Sequence, residues 1–392
     1  MPLPDQKNVP LSFRPDGTFR VMQFFDIQDV APVSTDTLIL MGAALDAERP
    51  DLVVLTGDQV KGYAPAFRGK RPQAADALAQ LTITQMCAPM IVRGIPFAVT
   101  YGNHDRECGV PNAAQDEFYR ALPGCLNAHA WAELRPGTLC LPVAASNANE
   151  SQFKMAVWLA DSKAGDAGGG YEPFPVATTG WLVSTADRLA ARAGGAVGGI
   201  LFQHIPLPQA YDCLRPAHPG ERGVAGHRTH YAPHSTLVCD EAAWESGALH
   251  EPVCCPDTDT GEFDALVRQG CFFGVFYGHD HKNTLVARHR GIRMGYAPTV
   301  GFGTYGPGTR RAARLFVFAE DDPSAFETRL LDYHTLVGER APRPLRDWLS
   351  SQVPVTAEEA RELFRIPALM AAATAIAAVA CRVVHAFAER YR

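Results

Sequence analysis

The sequence has no excess of basic residues, no close cysteine motif and no internal repeat. Lys and Arg number 36 against 42 Asp and Glu, a net charge of −6. That balance excludes a protein that holds nucleic acid non-specifically, which requires a basic surface. The ten cysteines include no C-x-x-C, and only Cys254–Cys255 stand side by side. Redox-motif and zinc-ribbon readings therefore lack their signature, and reduced thiols are expected. The opening residues, MPLPDQKNVPLSFRPDG, carry neither a basic n-region nor an apolar h-region, so the expectation is a cytoplasmic protein. The uncharged C-terminal run, Ile366–Cys381, is alanine-heavy and shorter than the roughly 20 apolar residues that a spanning helix needs. It follows a capping box, Thr356 to Glu359. It reads as part of a C-terminal helical extension, residues 336–392, that packs on the body or on a second copy in a homodimer. Interfacial membrane attachment through 366–387 is the weaker alternative.

What the sequence does have is a series of short apolar runs of strand length: FRVMQFF (19–25), LVVLTG (52–57), PFAVTYG (96–102), FKMAVWLA (153–160), GILFQ (199–203), CFFGVFYG (271–278) and ARLFVFA (313–319). The first three are nearly continuous in hydrophobicity, as in strands covered on both faces. Helical patterns separate them. One begins at a Ser34 or Thr35 cap and is closed by Pro50, and the next begins at Pro72. The order is β-α-β-α-β, an α/β fold.

A polar group follows each of five runs. Asp26 and Gln28 come after the first, and Asp58 after the second. Asn103, His104 and Asp105 come after the third, His204 after the fifth, and His279 and His281 after the sixth. Strand ends in an α/β layer line one crevice. Separate stretches thus bring three carboxylates, two amides and four imidazoles to one rim, a costly gathering unless cations neutralise it. Carboxylate, imidazole and amide oxygen are ligands for Mn, Fe, Zn or, more weakly, Mg. A carboxylate shared between two ions is usual in dinuclear sites, and Asp58 is the candidate.

In order, the motifs DIQ, GDQ, GNHD, FQH and GHDH resemble those of the calcineurin-like metallophosphoesterase superfamily, over roughly residues 18–335. WLADS, TGWLVS, FQHIPLPQAY and GYAPTVGFGTYG resemble its purple-acid-phosphatase-like branch. The resemblance implies a four-layer α/β/β/α sandwich holding two divalent ions. It implies Asp26, Gln28 and His281 on one ion, Asn103, His204 and His279 on the other, and Asp58 bridging. It implies His104 as acid or phosphoryl contact with Asp105 orienting it. The reaction would be direct hydrolysis of a small phosphate ester, a monoester in preference, by a metal-bridging hydroxide. A phosphodiesterase of the same fold, or a non-catalytic metal-binding interaction module, is the alternative. Lys61, Arg106 and Asn283 are candidate substrate contacts. Residues 205–262, with five histidines and four cysteines, read as a long loop over the cleft, where a zinc site is a further reading.

Two departures stand out. Gln28 replaces the first motif's histidine, which favours harder ions at that site. Lys61 stands where purple acid phosphatases carry a tyrosine ligand, and the nearest tyrosine is Tyr63. Iron-reconstituted protein is therefore expected to lack a tyrosinate-to-iron(III) band in its visible spectrum. A strong band of that kind would place a tyrosine on the metal.

Overall fold

The computed structural model describes residues 11–127, 134–147, 152–166, 168–227, 236–338 and Ile376. The rest of the 336–392 extension lies outside the described residues, as does the 366–387 segment read for membrane attachment except for Ile376. Two large sheets form the centre. One has five strands in the order Glu327–Asp332, Ala312–Ala319, Thr18–Phe24, Leu52–Thr56, Phe97–Thr100. Its last three run parallel, with the helices Thr35–Glu48 and Pro72–Ile91 as crossovers. The other has eight, in the order Leu11–Ser12, Leu139–Ala144, Phe153–Ala160, Gly198–Gln203, Phe272–Tyr277, Ile292–Tyr296, Val286–His289, Trp244–Ser246.

Period-two alternation sends each strand's side chains into two different cores. In the five-stranded sheet Met22, Phe24, Val53 and Leu55 pack with the first two helices, while Phe19, Val21, Leu52 and Val54 face the other sheet. In the eight-stranded sheet Trp158, Leu201 and Val275 pack against helices Val176–Ala193 and Glu262–Gln269, while Val157, Ile200 and Phe276 turn inward. The layers are therefore helix, sheet, sheet, helix, as the family resemblance implies, and burial on both faces accounts for the continuous apolar runs. Phe316 joins the sheets, its ring 4.6 Å from that of Phe276 and 5.2 Å from that of Phe202.

Some local expectations are corrected. Ser34 occupies the first helix's N-cap, but its side chain caps nothing; its backbone N–H is taken by Asp29 Oδ2 at 2.8 Å. The helix ends because Arg49 adopts a left-handed conformation (φ +46°), one residue before Pro50. Residues 205–262 are not merely a loop. They carry Trp244–Ser246 of the large sheet and a small sheet of Leu214–Pro216, Thr236–Cys239 and Val224–Ala225. None of the nine cysteines among the described residues forms a disulfide, and no helix among them is long and apolar enough to cross a membrane.

Phe316→Ala removes a wholly buried ring from between the sheets. A cost of about 3–5 kcal/mol follows from the cavity, read as a melting temperature lower by roughly 5–10 °C. A shift below about 2 °C in a thermal melt would show that the sheets do not depend on this ring.

Candidate metal centre

The parallel strands of both sheets end toward one crevice, and the candidate residues sit in the turns that leave them. Four non-glycine residues there have left-handed backbones: Asp26 (φ +47°), Gln28 (+40°), Asp58 (+52°) and His279 (+74°). Such conformations cost on the order of 1–3 kcal/mol each and persist where neighbouring structure enforces them. Here Asp26 N–H donates to the Gly57 carbonyl at 3.1 Å and Gln28 N–H to that of Asp58 at 2.9 Å. His279 N–H donates to Asp26 Oδ2 at 2.8 Å, and His104 N–H to Asp58 Oδ1 at 2.8 Å. The crowding leaves no room for a side chain at Gly102, where a Cβ would run into Asp58 Oδ1.

The side chains form two groups. In one, His281 donates Nδ1–H to the Tyr305 carbonyl at 2.9 Å, which leaves Nε2 facing Asp26 Oδ1 at 3.3 Å. Tyr305 stacks on the His281 ring at 4.0 Å. In the other, His204 donates Nδ1–H to the Thr56 carbonyl at 3.1 Å. Its Nε2 lies 3.0 Å from Asn103 Oδ1, 3.2 Å from His279 Nδ1 and 3.4 Å from Asp58 Oδ2. A carbonyl on one ring nitrogen fixes the tautomer and aims the other nitrogen's lone pair, an arrangement common behind metal-bound histidines. Asp58 Oδ2 faces both groups, since Gln28 Nε2 approaches it at 3.3 Å.

Gln28 stands with its amide nitrogen toward Asp58 and its oxygen accepting from the Thr304 hydroxyl. Turning the amide over would aim the oxygen inward and let the Thr304 oxygen accept instead. A cation beside Asp58 favours that second orientation, because it attracts the oxygen and repels the N–H groups.

The residues fit a cation pair. Asp26 and Asp58 are at most 1% exposed, and Asp26 Oδ1 has no hydrogen-bond donor. Ligand atoms of Asp58, His204 and His279 lie within 4.8 Å of one another. Burial disfavours a charged His204, yet Asp58 and Asp26 outweigh it and push the pKa up to about 10. Burial and the neighbouring His204 hold His279 well below the usual imidazole range.

His104 lies at the rim. Its Nδ1–H donates to Glu107 Oε2 at 2.7 Å, and Tyr63 packs edge-on at 4.8 Å. Burial would lower its pKa, but Asp58 and Glu107 raise it. The expected orienting role of Asp105 is corrected. Its carboxylate accepts four backbone N–H groups, from Asp58, Gln59, Val60 and Gly102, at 2.8–2.9 Å. It clamps the Asp58 turn onto the His104 turn, and Glu107 is the carboxylate on the imidazole.

The candidate substrate contacts fare differently. Lys61 Nζ donates to the Gly303 carbonyl at 2.8 Å and lies over the Tyr63 ring. Arg106 pairs with Glu172 at 3.2 Å on the outer rim. Asn283 is wholly buried, and its amide is committed to the backbone of His250 and Glu251. The structure gives it a bracing role in place of substrate contact. Of the suspected zinc cluster, His230 and His234 lie outside the described residues. His227 Nδ1 is 3.8 Å from Cys254 Sγ, and Cys254, unread in the sequence as part of the site, lies beside His279 and Asp280.

The model of the calcineurin-like phosphoesterase family matches residues 20–283, a span containing every candidate residue above. The chain belongs to the calcineurin-like phosphoesterase family. The chain is 25% identical over 343 residues to "Probable inactive purple acid phosphatase 29" of Arabidopsis thaliana, covering 78% of each. It is 24% identical to "Probable inactive purple acid phosphatase 14" of the same plant, over 76% of this chain and 74% of that one. Among solved structures, a dimetal phosphatase from Danio rerio aligns over 80% of this chain and 99% of its own at 12% identity. Its TM-score is 0.45, too low for the likeness to bear on function. Membership makes this a phosphoesterase fold, and its crevice carries candidate metal ligands.

The two carboxylates should separate by mutation. Asp105→Asn puts an amide N–H among four donors and is expected to destabilise the chain by about 2–4 kcal/mol and to loosen metal binding. Glu107→Gln, half-exposed and with its side chain on the His104 ring alone, should leave melting temperature and metal content unchanged. Metal loss in Glu107→Gln, or none in Asp105→Asn, would reverse the two assignments.

Proposed function

We propose that this protein is a metal-dependent hydrolase of small phosphate monoesters with a dinuclear centre. The observation that carries the reading is Asp58 Oδ2, which faces Gln28 on one side and His204 on the other at 3.3–3.4 Å. Asp26, Gln28 and His281 would hold one ion, Asn103, His204 and His279 the other, with Asp58 shared. Bound there, two divalent ions supply charge stabilisation at phosphorus and an activated water. The amide at Gln28 favours Mn²⁺, Fe²⁺ or Mg²⁺ over Zn²⁺ at the first site.

The chain's own residues do the rest. His104, its Nδ1–H held by Glu107, would offer a proton at Nε2 to the departing ester oxygen. Tyr63 limits the ring's rotation. Lys61 and Arg106 lie on the rim, where an incoming anion meets their charge. Asp105 keeps the Asp58 and His104 turns in register, so that acid and metal site stay at fixed separation.

The second reading, a metal-binding module without turnover, is favoured by the word "inactive" in the names of the two plant relatives. Retention of His104 and both buried aspartates supports the catalytic reading. A diester substrate is the remaining alternative, and the assay below includes both classes.

A panel of phosphate mono- and diesters with Mn²⁺, Fe²⁺, Zn²⁺ or Mg²⁺ decides between them. Turnover is expected, fastest on monoesters. His104→Ala should keep its metal and lose about 10²–10⁴-fold in kcat on alkyl esters, and much less on nitrophenyl esters, whose leaving group needs no proton. No turnover with any ion in a fully metallated protein would establish the binding module. An equal loss on both ester types would assign His104 to phosphoryl positioning.

A further inference from the structure

The turn of residues 299–305 walls one half of the metal centre. Thr299 Oγ1 donates to the Asp26 carbonyl at 2.5 Å, and its N–H to the His281 carbonyl at 2.9 Å. Further along, the Thr304 hydroxyl meets the Gln28 amide oxygen, and the Tyr305 carbonyl accepts His281 Nδ1–H at 2.9 Å. Asp26, Gln28 and His281, the residues assigned to one ion, are thus all set from this single turn. Three of the residues at 301–306 are glycines, so the turn has few side chains of its own with which to hold its shape.

What fills the turn is Arg311, which is wholly buried. Its guanidinium donates to the carbonyls of Gly301 and Thr304, the latter at 2.8 Å, and reaches that of Tyr305 at 3.4 Å. It lies over the Phe302 ring, 5.0 Å from the centroid. A Cβ at Gly306 would come within 2.6 Å of Arg311 Nη1, so the backbone closes tightly around the cation. Carbonyls aimed at one point repel one another, and a planar group with five N–H donors gathers them. Burying a guanidinium is costly, and a side chain needed only to fill space could be apolar. Two of the three acceptors, moreover, belong to the residues that touch Gln28 and His281. Arg314 offers a contrast. It is buried as well, and it donates to the carbonyls of Tyr296 at 2.7 Å and Thr284 at 3.1 Å. No candidate metal ligand among the described residues bonds to either carbonyl.

We propose that Arg311 is a positioning residue for the first metal site: it fixes the 299–305 turn so that Thr304 presents its hydroxyl to Gln28 and the Tyr305 carbonyl holds the His281 tautomer whose Nε2 faces Asp26. The inference rests on the reading in which Asp26, Gln28 and His281 share one ion. Groups that orient a metal's ligands from behind change its affinity about 10–100-fold when they are removed. The second ion's histidines depend on other turns, His204 on the Thr56 carbonyl and His279 on the Asp26 carboxylate through its backbone N–H. The effect of Arg311 therefore falls on one ion of the two.

The test titrates Mn²⁺ into the metal-free full chain, with affinity read by calorimetry and pairing of the ions by electron paramagnetic resonance. Wild type should take up two ions and show the exchange-coupled signal of a pair. Arg311→Met should keep one ion at wild-type affinity, hold the other about 10–100-fold more weakly and lose the pair signal. Arg311→Lys, which retains the charge but gathers fewer carbonyls, should lie between. Arg314→Met removes a comparable buried guanidinium and should lower the melting temperature while keeping both ions. His281→Ala should weaken the same ion as Arg311→Met, and the double variant should lose little more than His281→Ala alone. Two tightly held ions in both Arg311 variants, or equal weakening of both ions, would overturn the inference. So would losses from Arg311→Met and His281→Ala that simply add, or the same loss in Arg314→Met, which assigns the effect to folding. A wild type that binds fewer than two ions contradicts the dinuclear reading and this inference with it, whereas a paired wild type with unaffected Arg311 variants contradicts this inference alone. None of these readouts requires turnover.

Discussion

Two carboxylates, Asp26 and Asp58, are buried almost completely at the rim where both sheets end. Removing a carboxylate from water costs several kcal/mol even after relaxation, and this site has two within reach of one another. No Lys or Arg pairs with either among the described residues. The side chains that face them are imidazoles and the Gln28 amide, and Asp58 and Asp26 raise the His204 pKa. The strained turns, the glycine contacts and the aimed histidines all serve this local excess of negative charge. A cation pair is the economical explanation of the whole arrangement.

The sandwich determines where that charge can be placed. Each sheet contributes turns from its parallel strands, and the inter-sheet core of phenylalanines fixes one set against the other. The Asp105 carboxylate then stitches two turns of the same sheet with four N–H donors. Across the sheets, the backbone N–H of His279 meets Asp26, and the Thr56 carbonyl meets His204. Pre-organisation of this kind means that little rearrangement remains to be done when ligands arrive.

Much of this was legible in the sequence because it is local. A polar residue that directly follows an apolar run stands at a strand end, and parallel strands end together. That reasoning placed Asp26, Asp58, Asn103, His104, His204, His279 and His281 on one rim. What escaped depends on side-chain direction across long sequence separations. Asp105 and Glu107 lie two residues apart, and nothing in GNHDRE says which of them meets the imidazole. Asn283 adjoins the last histidine motif yet turns into the backbone of residues 250–251. Ser34 has the right identity and position for a cap, yet its side chain makes no capping bond, and its backbone N–H goes to Asp29. The small sheet in 205–262 escaped because its strands are two to four residues long and carry no clear alternation.

Anomalous diffraction from crystals grown with Mn²⁺ tests the central claim most directly. Two peaks are expected in the crevice, one beside Asp26 and His281, the other beside His204 and Asn103, with a carboxylate oxygen of Asp58 touching both. A single peak, or two peaks that Asp58 does not join, would contradict the dinuclear reading and leave the buried carboxylates without their proposed reason.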